Sequence, residues 1–243
     1  MAGGISAATR AAYPSGCRND PIGCFWLGGP VPLLPQPMKR IFKNNGLSIV
    51  LLVCFLAFWA AQAVSGFKVH NQDQILYGRS PLEFLDYLRS GHFWQATGEN
   101  WESEFLQMGA YVILTTYLYQ RGSAESNDPN RAGEFERERK KKPGSWLYRN
   151  SLSLAFLVLF LLSFTMHAAG GLVEFNEERS EHGQSAATLG EFLGDPEFWF
   201  QSFQNWQSEF LAVLSIVVLT IFLRQNGSPE SKKVGATNSE TGD

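Results

Sequence analysis

The chain has 243 residues, 44% apolar, 18% charged and 14% aromatic, with a net charge of −3. That balance gives no support to a nucleic-acid binder, and three cysteines, Cys17, Cys24 and Cys54, are an odd count that argues against a disulfide framework. The apolar residues are bunched into four blocks beginning near Leu47, Phe105, Leu152 and Phe210, with strongly polar segments between. Such bunching excludes a disordered chain and an ordinary soluble core, and leaves a small multi-pass membrane protein.

In chain order, residues 1–37 hold Pro, Gly and Ala without a useful apolar run. They read as a disordered extension, or as residues ahead of a true start at Met38-Lys39-Arg40. Cys17 and Cys24 have no His or Cys partner at metal-ligand spacing, so no zinc site is expected. The first block, Leu47 to Val64, supplies 18 residues without an Asp, Glu, Lys or Arg, close to the roughly 20 that a bilayer core requires. Lys39, Arg40 and Lys43 before it, with Ala61-Gln62-Ala63 near its end, also describe a signal peptide. A matching block of 21 residues at Leu152–Leu172, deep in the chain, favours a mature helix instead. The remaining two blocks reach spanning length when counted from Trp101 and Trp206, as runs of 19 and 18 residues. Each is then about 27–28 Å long at 1.5 Å per residue, and a block that crosses lipid is helical because its backbone must satisfy itself.

A shift of 105 positions aligns the two halves without a gap. Asn45, Leu47 and Ser48 meet Asn150, Leu152 and Ser153; Gly66, Asn71 and Gly78 meet Gly171, Asn176 and Gly183. Phe93-Trp94 meets Phe198-Trp199. The longest shared stretch sets Asn100-Trp101-Glu102-Ser103-Glu104-Phe105-Leu106 against Asn205-Trp206-Gln207-Ser208-Glu209-Phe210-Leu211. Over a third of the 82 aligned positions are identical. Shared membrane composition alone would not keep Gly, Asn, Trp and Glu in register through polar loops, so the chain reads as a tandem duplication. The fold class expected is all-α: four transmembrane helices from two parallel helix-loop-helix repeats, residues 38–126 and 145–231. A charged linker at 127–144 joins them, and a disordered tail at 232–243 follows. Two crossings per repeat return the chain to its starting side, so the repeats share one orientation.

From Met38 on, fourteen Lys and Arg residues stand before the first helix, between the second and third, and after the fourth; the two outer loops carry only Lys68, Arg79, Arg89 and Arg179. The positive-inside rule then places both termini and the linker in the cytoplasm. The linker, with Glu134 to Lys142 and two prolines, reads as solvated and flexible. In the outer loops, Ser80-Pro81-Leu82-Glu83 and Thr188-Leu189-Gly190-Glu191 resemble capped helix starts, and Asp195-Pro196-Glu197 opens another short helix carrying Phe198, Trp199 and Phe200. These are read as short amphipathic helices at the membrane surface, with a small folded cap as the alternative.

In the repeated motif, Asn100 and Asn205 can cap a helix, Trp101 and Trp206 suit the interfacial belt, and Ser103 and Ser208 complete the pattern. Glu104 and Glu209 favour the positive end of a helix. Alternatively, carboxylates at that depth face protein or water, and the pair Glu104 and Glu209 is then a candidate ion or proton site. Gln62 and His167 match across the repeat, and His167 reads as a packed, hydrogen-bonded group. His70, His92 and His182 have no repeated counterparts, which disfavours a duplicated metal site. Gly122-Ser123 and Gly227-Ser228 read as a glycine helix end followed by a new start. No Walker loop, dinucleotide fingerprint, His-Glu-x-x-His or Gly-x-Ser-x-Gly occurs; neither an enzyme nor a cofactor is expected.

The repeated Asn-Trp-x-Ser-Glu-Phe-Leu block, the preceding Phe-Trp and the following Gln-x-Gly-Ser-x-Glu-Ser resemble a family of uncharacterised bacterial membrane proteins known as a domain of unknown function. The resemblance covers Met38 to the C-terminus; it implies a bacterial inner-membrane setting and supplies no activity. The sequence therefore points to a structural or accessory membrane protein whose partner is the bilayer, with no nucleic acid. The alternative is a small carrier or channel using Glu104 and Glu209, for which a homo-oligomer would be required.

Overall fold

A computed structural model describes residues 36–141 and 144–242; the proposed extension at 1–37 falls almost wholly outside them, as do Cys17 and Cys24. The elements are α1 (Gln36–Leu76), α2 (Phe84–Tyr87), α3 (Gly91–Tyr117), a 3₁₀ turn at Pro129–Arg131, α4 (Ala132–Lys141), α5 (Trp146–Arg149), α6 (Ser151–Glu181), α7 (Leu189–Phe192) and α8 (Pro196–Phe222), with no strand among the described residues. The chain divides into two units at Phe55 and Leu56. The described part of the first unit is the start of α1, which breaks at Asn45 (φ −130°, ψ 17°). Asn150, 105 positions later, adopts almost the same dihedrals (φ −115°, ψ 13°) between α5 and α6.

Other local features recur at that offset in the second unit. α2 and α7 are each 4 residues long, and α3 and α8 each 27. Asn71 clamps the loop after α1 by exchanging two hydrogen bonds with the backbone of Leu82 (2.8 and 3.0 Å), and Asn176 does the same with Ala187 (2.6 and 3.2 Å). Ala63, Tyr87 and Phe93 form one buried apolar cluster; Ala168, Phe192 and Phe198 form another. Gly66 and Gly171 leave room for the rings of Tyr87 and Phe192, since a Cβ at Gly171 would stand 2.7 Å from Phe192 Cζ.

α3 runs antiparallel to α6 at very short range. Gly91 lies against Gly170 and Val173, Gly98 against His167, and Gly109 against Phe156. A Cβ on Gly98 would stand 2.9 Å from His167 Cα and nearer still to its backbone nitrogen. Small residues allow such approach, and the close packing supplies the dispersion contacts that hold helices together in lipid.

Three helices are long and apolar enough to cross a membrane, Arg40–Leu76, Ser151–Glu181 and Pro196–Phe222. The fourth expected crossing, α3, matches α8 in length but not in apolarity, because Gln95, Glu99, Asn100, Glu102, Glu104 and Gln107 all lie within it. On the three apolar helices, Leu51, Phe58, Leu161 and Leu214 are more than half exposed. In water such surface would be an aggregation liability; against lipid it is the ordinary outer face of a spanning helix.

Several boundaries differ from the sequence reading. α3 and α8 start ten residues before Trp101 and Trp206, capped by the side chains of Ser90 and Asp195, which accept from Phe93 N and Glu197 N. Nothing in 91–100 or 196–205 breaks a helix after its first turn, so the expected short helix at Asp195 is the opening of α8 itself. α2 begins at Phe84 rather than after Ser80, because the Asn71 clamp holds Leu82 in an extended loop; Glu83 makes no side-chain cap. The capping box at Thr188 and Glu191 is complete, and the two bonds Glu191 accepts from Thr188 lower its carboxyl pKa. Gly122 and Gly227 take positive φ (88° and 83°) within tight turns after α3 and α8 rather than at the helix ends.

The linker is not wholly irregular. It contains α4, where Glu136 pairs with Lys140 (2.7 Å) on the exposed side and Glu134 pairs with Arg131 of the preceding 3₁₀ turn (2.9 Å). Nor do residues 232–242 behave as a loose tail. Lys232 is buried, and its ammonium donates to the carbonyl oxygens of Gly122, Thr237 (3.1 Å), Asn238 (3.4 Å) and Glu240 (2.9 Å). Gly242 N donates to Ser123 O (2.9 Å). Four carbonyl acceptors replace the water lost by the lysine, whose pKa burial nevertheless lowers, with Arg224 adding to the effect.

Candidate functional site

A buried polar centre lies where α3, α6 and α8 meet. Glu102, His167, Ser202 and Thr97 are each fully buried. Their placement follows helical periodicity: Gly91, Gln95, Gly98, Glu102 and Gly109 share one face of α3, spaced by three, four or seven residues. The glycines on this face bring α6 close, and the polar residues interleaved with them then point into the junction.

Glu102 Oε2 stands 3.2 Å from His167 Nδ1, and Ser202 Oγ donates to Glu102 Oε1 at 2.8 Å. Neither Oε2 nor Nδ1 has another polar partner. On the far side of the imidazole, Nε2 faces Gln201 Oε1 at 3.3 Å, an oxygen that already accepts from Gln95 Nε2 at 3.0 Å. The ring is held flat against Phe198, 4.6 Å centroid to centroid at 26°. Two further bonds border the centre: Asn205 Nδ2 donates to Glu99 Oε1 (2.6 Å) and Gln62 Nε2 to Thr97 Oγ1 (3.4 Å).

Of the residues singled out from sequence, Asn205 joins this network directly. Asn100 and Asn205 are interior helix residues rather than caps; Asn100 bonds back to Ala96 O (2.8 Å). Ser103 and Ser208 bond back to the carbonyls of Asn100 and Asn205 (2.7 and 2.8 Å). Trp101 packs on Trp59 (5.6 Å) and Trp206 on Phe203 (5.5 Å) and Phe160 (6.4 Å). Glu104 is exposed and Glu209 half-buried, near enough that the charge of Glu209 acts on Glu104. His167 is packed and hydrogen-bonded. Glu102 and Ser202 escaped the sequence reading because their repeat counterparts are Gln207 and Thr97, so identity across the halves passes over them; the Gln95-Gly98-Glu102 spacing was the available signal.

Near the end of α1, Tyr87 Oη meets His92 Nδ1 (3.2 Å), and the His70 and His92 rings lie 5.1 Å apart. Burial raises the Tyr87 pKa, aided by the charge of Glu174. Among the described residues no group of three or more His, Cys, Asp or Glu could hold a metal ion.

The described residues form helices and no strand, and three of the helices are long and apolar enough to cross a bilayer, which points to a membrane protein. The chain belongs to the family described as a domain of unknown function, DUF6766, whose sequence model matches residues 38–243. No curated protein and no solved structure matches it.

Proposed function

We propose that the protein is a multi-pass protein of the bacterial inner membrane, made of two tandem parallel helix-loop-helix repeats with both termini cytoplasmic, and that its role is structural or accessory. The matching Asn clamps, apolar clusters and helix lengths at one offset support the repeat. α3 is the fourth crossing in this reading. Its composition is too polar for lipid, but Glu102 is spent on His167 and Ser202, and Glu99 on Asn205. Inward-facing, paired carboxylates are what a spanning helix tolerates.

The observation that carries the reading is the closure of the polar centre. Its groups are bound to one another across three helices, which suits a fastener of a bundle better than a binding surface. The partner is the bilayer, and no cofactor, metal or nucleic acid is required.

A second reading, a small ion or proton carrier or channel, is favoured by two observations. Glu102 and His167 stand 3.2 Å apart out of contact with solvent, and Glu104 lies within reach of the Glu209 charge. Four helices per chain would then call for a homo-oligomer. Proteoliposome flux separates the readings: the structural role predicts no cation or proton flux above empty vesicles. Flux abolished by Glu104→Gln, Glu209→Gln or Glu102→Gln would replace it with the carrier.

A further inference from the structure

We propose that the cavity between α4 and the cytoplasmic ends of α3 and α6 binds the headgroup of an anionic phospholipid. The inference rests on the membrane reading above but concerns a different part of the molecule. The cavity, of 1190 Å³, is lined from three directions. α4 contributes Arg139 and Lys140; α3 and its exit contribute Tyr117 and Tyr119; α5 and the first turn of α6 contribute Trp146, Arg149 and Ser151–Ser153. Ligand cavities ordinarily span about 300–1,000 Å³, so this one has room for a phosphodiester headgroup and the roots of its chains.

Its chemistry changes from end to end as a phospholipid does. At the polar end, the Arg139 guanidinium lies over the Tyr117 ring (4.7 Å), and Arg149 Nη2 donates to Arg139 O (2.6 Å), which sets the two arginines side by side. Two acids, Glu136 and Glu138, also line the space, but Glu136 is taken by Lys140 at 2.7 Å. α6 opens here without a side-chain cap, since Asn150 turns its amide back to Trp146 O (2.8 Å). The positive end of a 31-residue helix is thus presented beside the arginines. At the apolar end, Val112 and Leu152 line the wall where α6 enters the bilayer. Trp146 and Tyr148 are 66% and 78% exposed, at the level where aromatic side chains favour the membrane interface. A soluble anion would use the basic end alone; a phospholipid uses both.

Native mass spectrometry of the full-length, delipidated protein in detergent tests this, titrated with phosphatidylglycerol or phosphatidylcholine. One phosphatidylglycerol is expected to be retained in preference to phosphatidylcholine. Removing one basic contact is worth about a fivefold loss of affinity at an anionic headgroup, so Arg139→Gln should weaken retention by about that factor. Lys140→Gln, a surface change that should not disturb folding, carries the same expectation should the arginine variant misfold; Arg89→Gln in the outer loop should leave retention unchanged. Equal retention of the two lipids, or indifference to both substitutions, overturns the proposal. Displacement of the lipid by millimolar inorganic phosphate overturns it as well, assigning the cavity to a soluble anion. The readout does not depend on which way the chain crosses the membrane, so its failure is separate from failure of the topology.

Discussion

His167→Leu is expected to destabilise the protein by about 3–5 kcal/mol, the cost of breaking a buried contact to a carboxylate by removing one partner. The change leaves Glu102 buried with Ser202 alone, and also removes the ring nitrogen that Gln201 Oε1 faces. Glu102→Gln should cost less, about 1–3 kcal/mol, because an amide retains the Ser202 hydrogen bond and can still meet the imidazole. The double variant Glu102→Leu/His167→Leu removes both partners and should cost less than the two single leucine changes added together, with a coupling of about 0.5–3 kcal/mol. Reversible unfolding in mixed micelles, followed by helical circular dichroism, measures all four proteins. Strict additivity would show that Glu102 and His167 are neighbours without being partners.

The second large effect is steric. Gly98→Ala adds one methyl group that would lie against the His167 backbone. Backbone cannot rotate away as a side chain can, so α3 and α6 must separate. Overpacking of this kind costs about 1–3 kcal/mol by itself; here the separation also lengthens the Glu102–His167 contact one turn further along α3. The loss should therefore match or exceed that of Glu102→Gln. Gly46→Ala is the control, since its Cβ meets nothing within 4 Å; replacing a helical glycine with open space around it should raise stability by up to about 1 kcal/mol. Thermal melts in detergent distinguish the two, and an unchanged melting temperature for Gly98→Ala would mean that the helices are further apart than described here.

Helix positions were legible to the extent that local chemistry decides them. The apolar runs and the Thr188 capping box announce themselves within a few residues. Helix starts were misplaced where the reading assumed that a helix begins with its apolar run. Ser90 and Asp195 cap α3 and α8 well outside that run, and the polar turns between are helical because they pack on α6 or α3. The polar centre was half visible. His167 was recognised as a packed group, but its partner was not, because Glu102 has Gln207 as its counterpart and looked like the less regular of two nearby acids. Burial of Glu102 depends on which side of α3 meets α6, a tertiary fact set by Gly98 and Gly170. Residues 232–242 were the least legible. Their composition is that of a solvated tail, and only the distant Gly122 turn provides the carbonyl that Lys232 needs.

The central claim is that α3, despite its acids, is a membrane crossing that returns the first repeat to the cytoplasm. It is flanked by Arg89, whose side chain is 80% exposed, and by Arg121, also exposed. With Cys17, Cys24 and Cys54 replaced by serine, single cysteines at these two positions can be labelled in intact cells with a membrane-impermeant maleimide. The account predicts that Arg89→Cys labels at once and that Arg121→Cys labels only after permeabilisation. Labelling of both from the same side would contradict it.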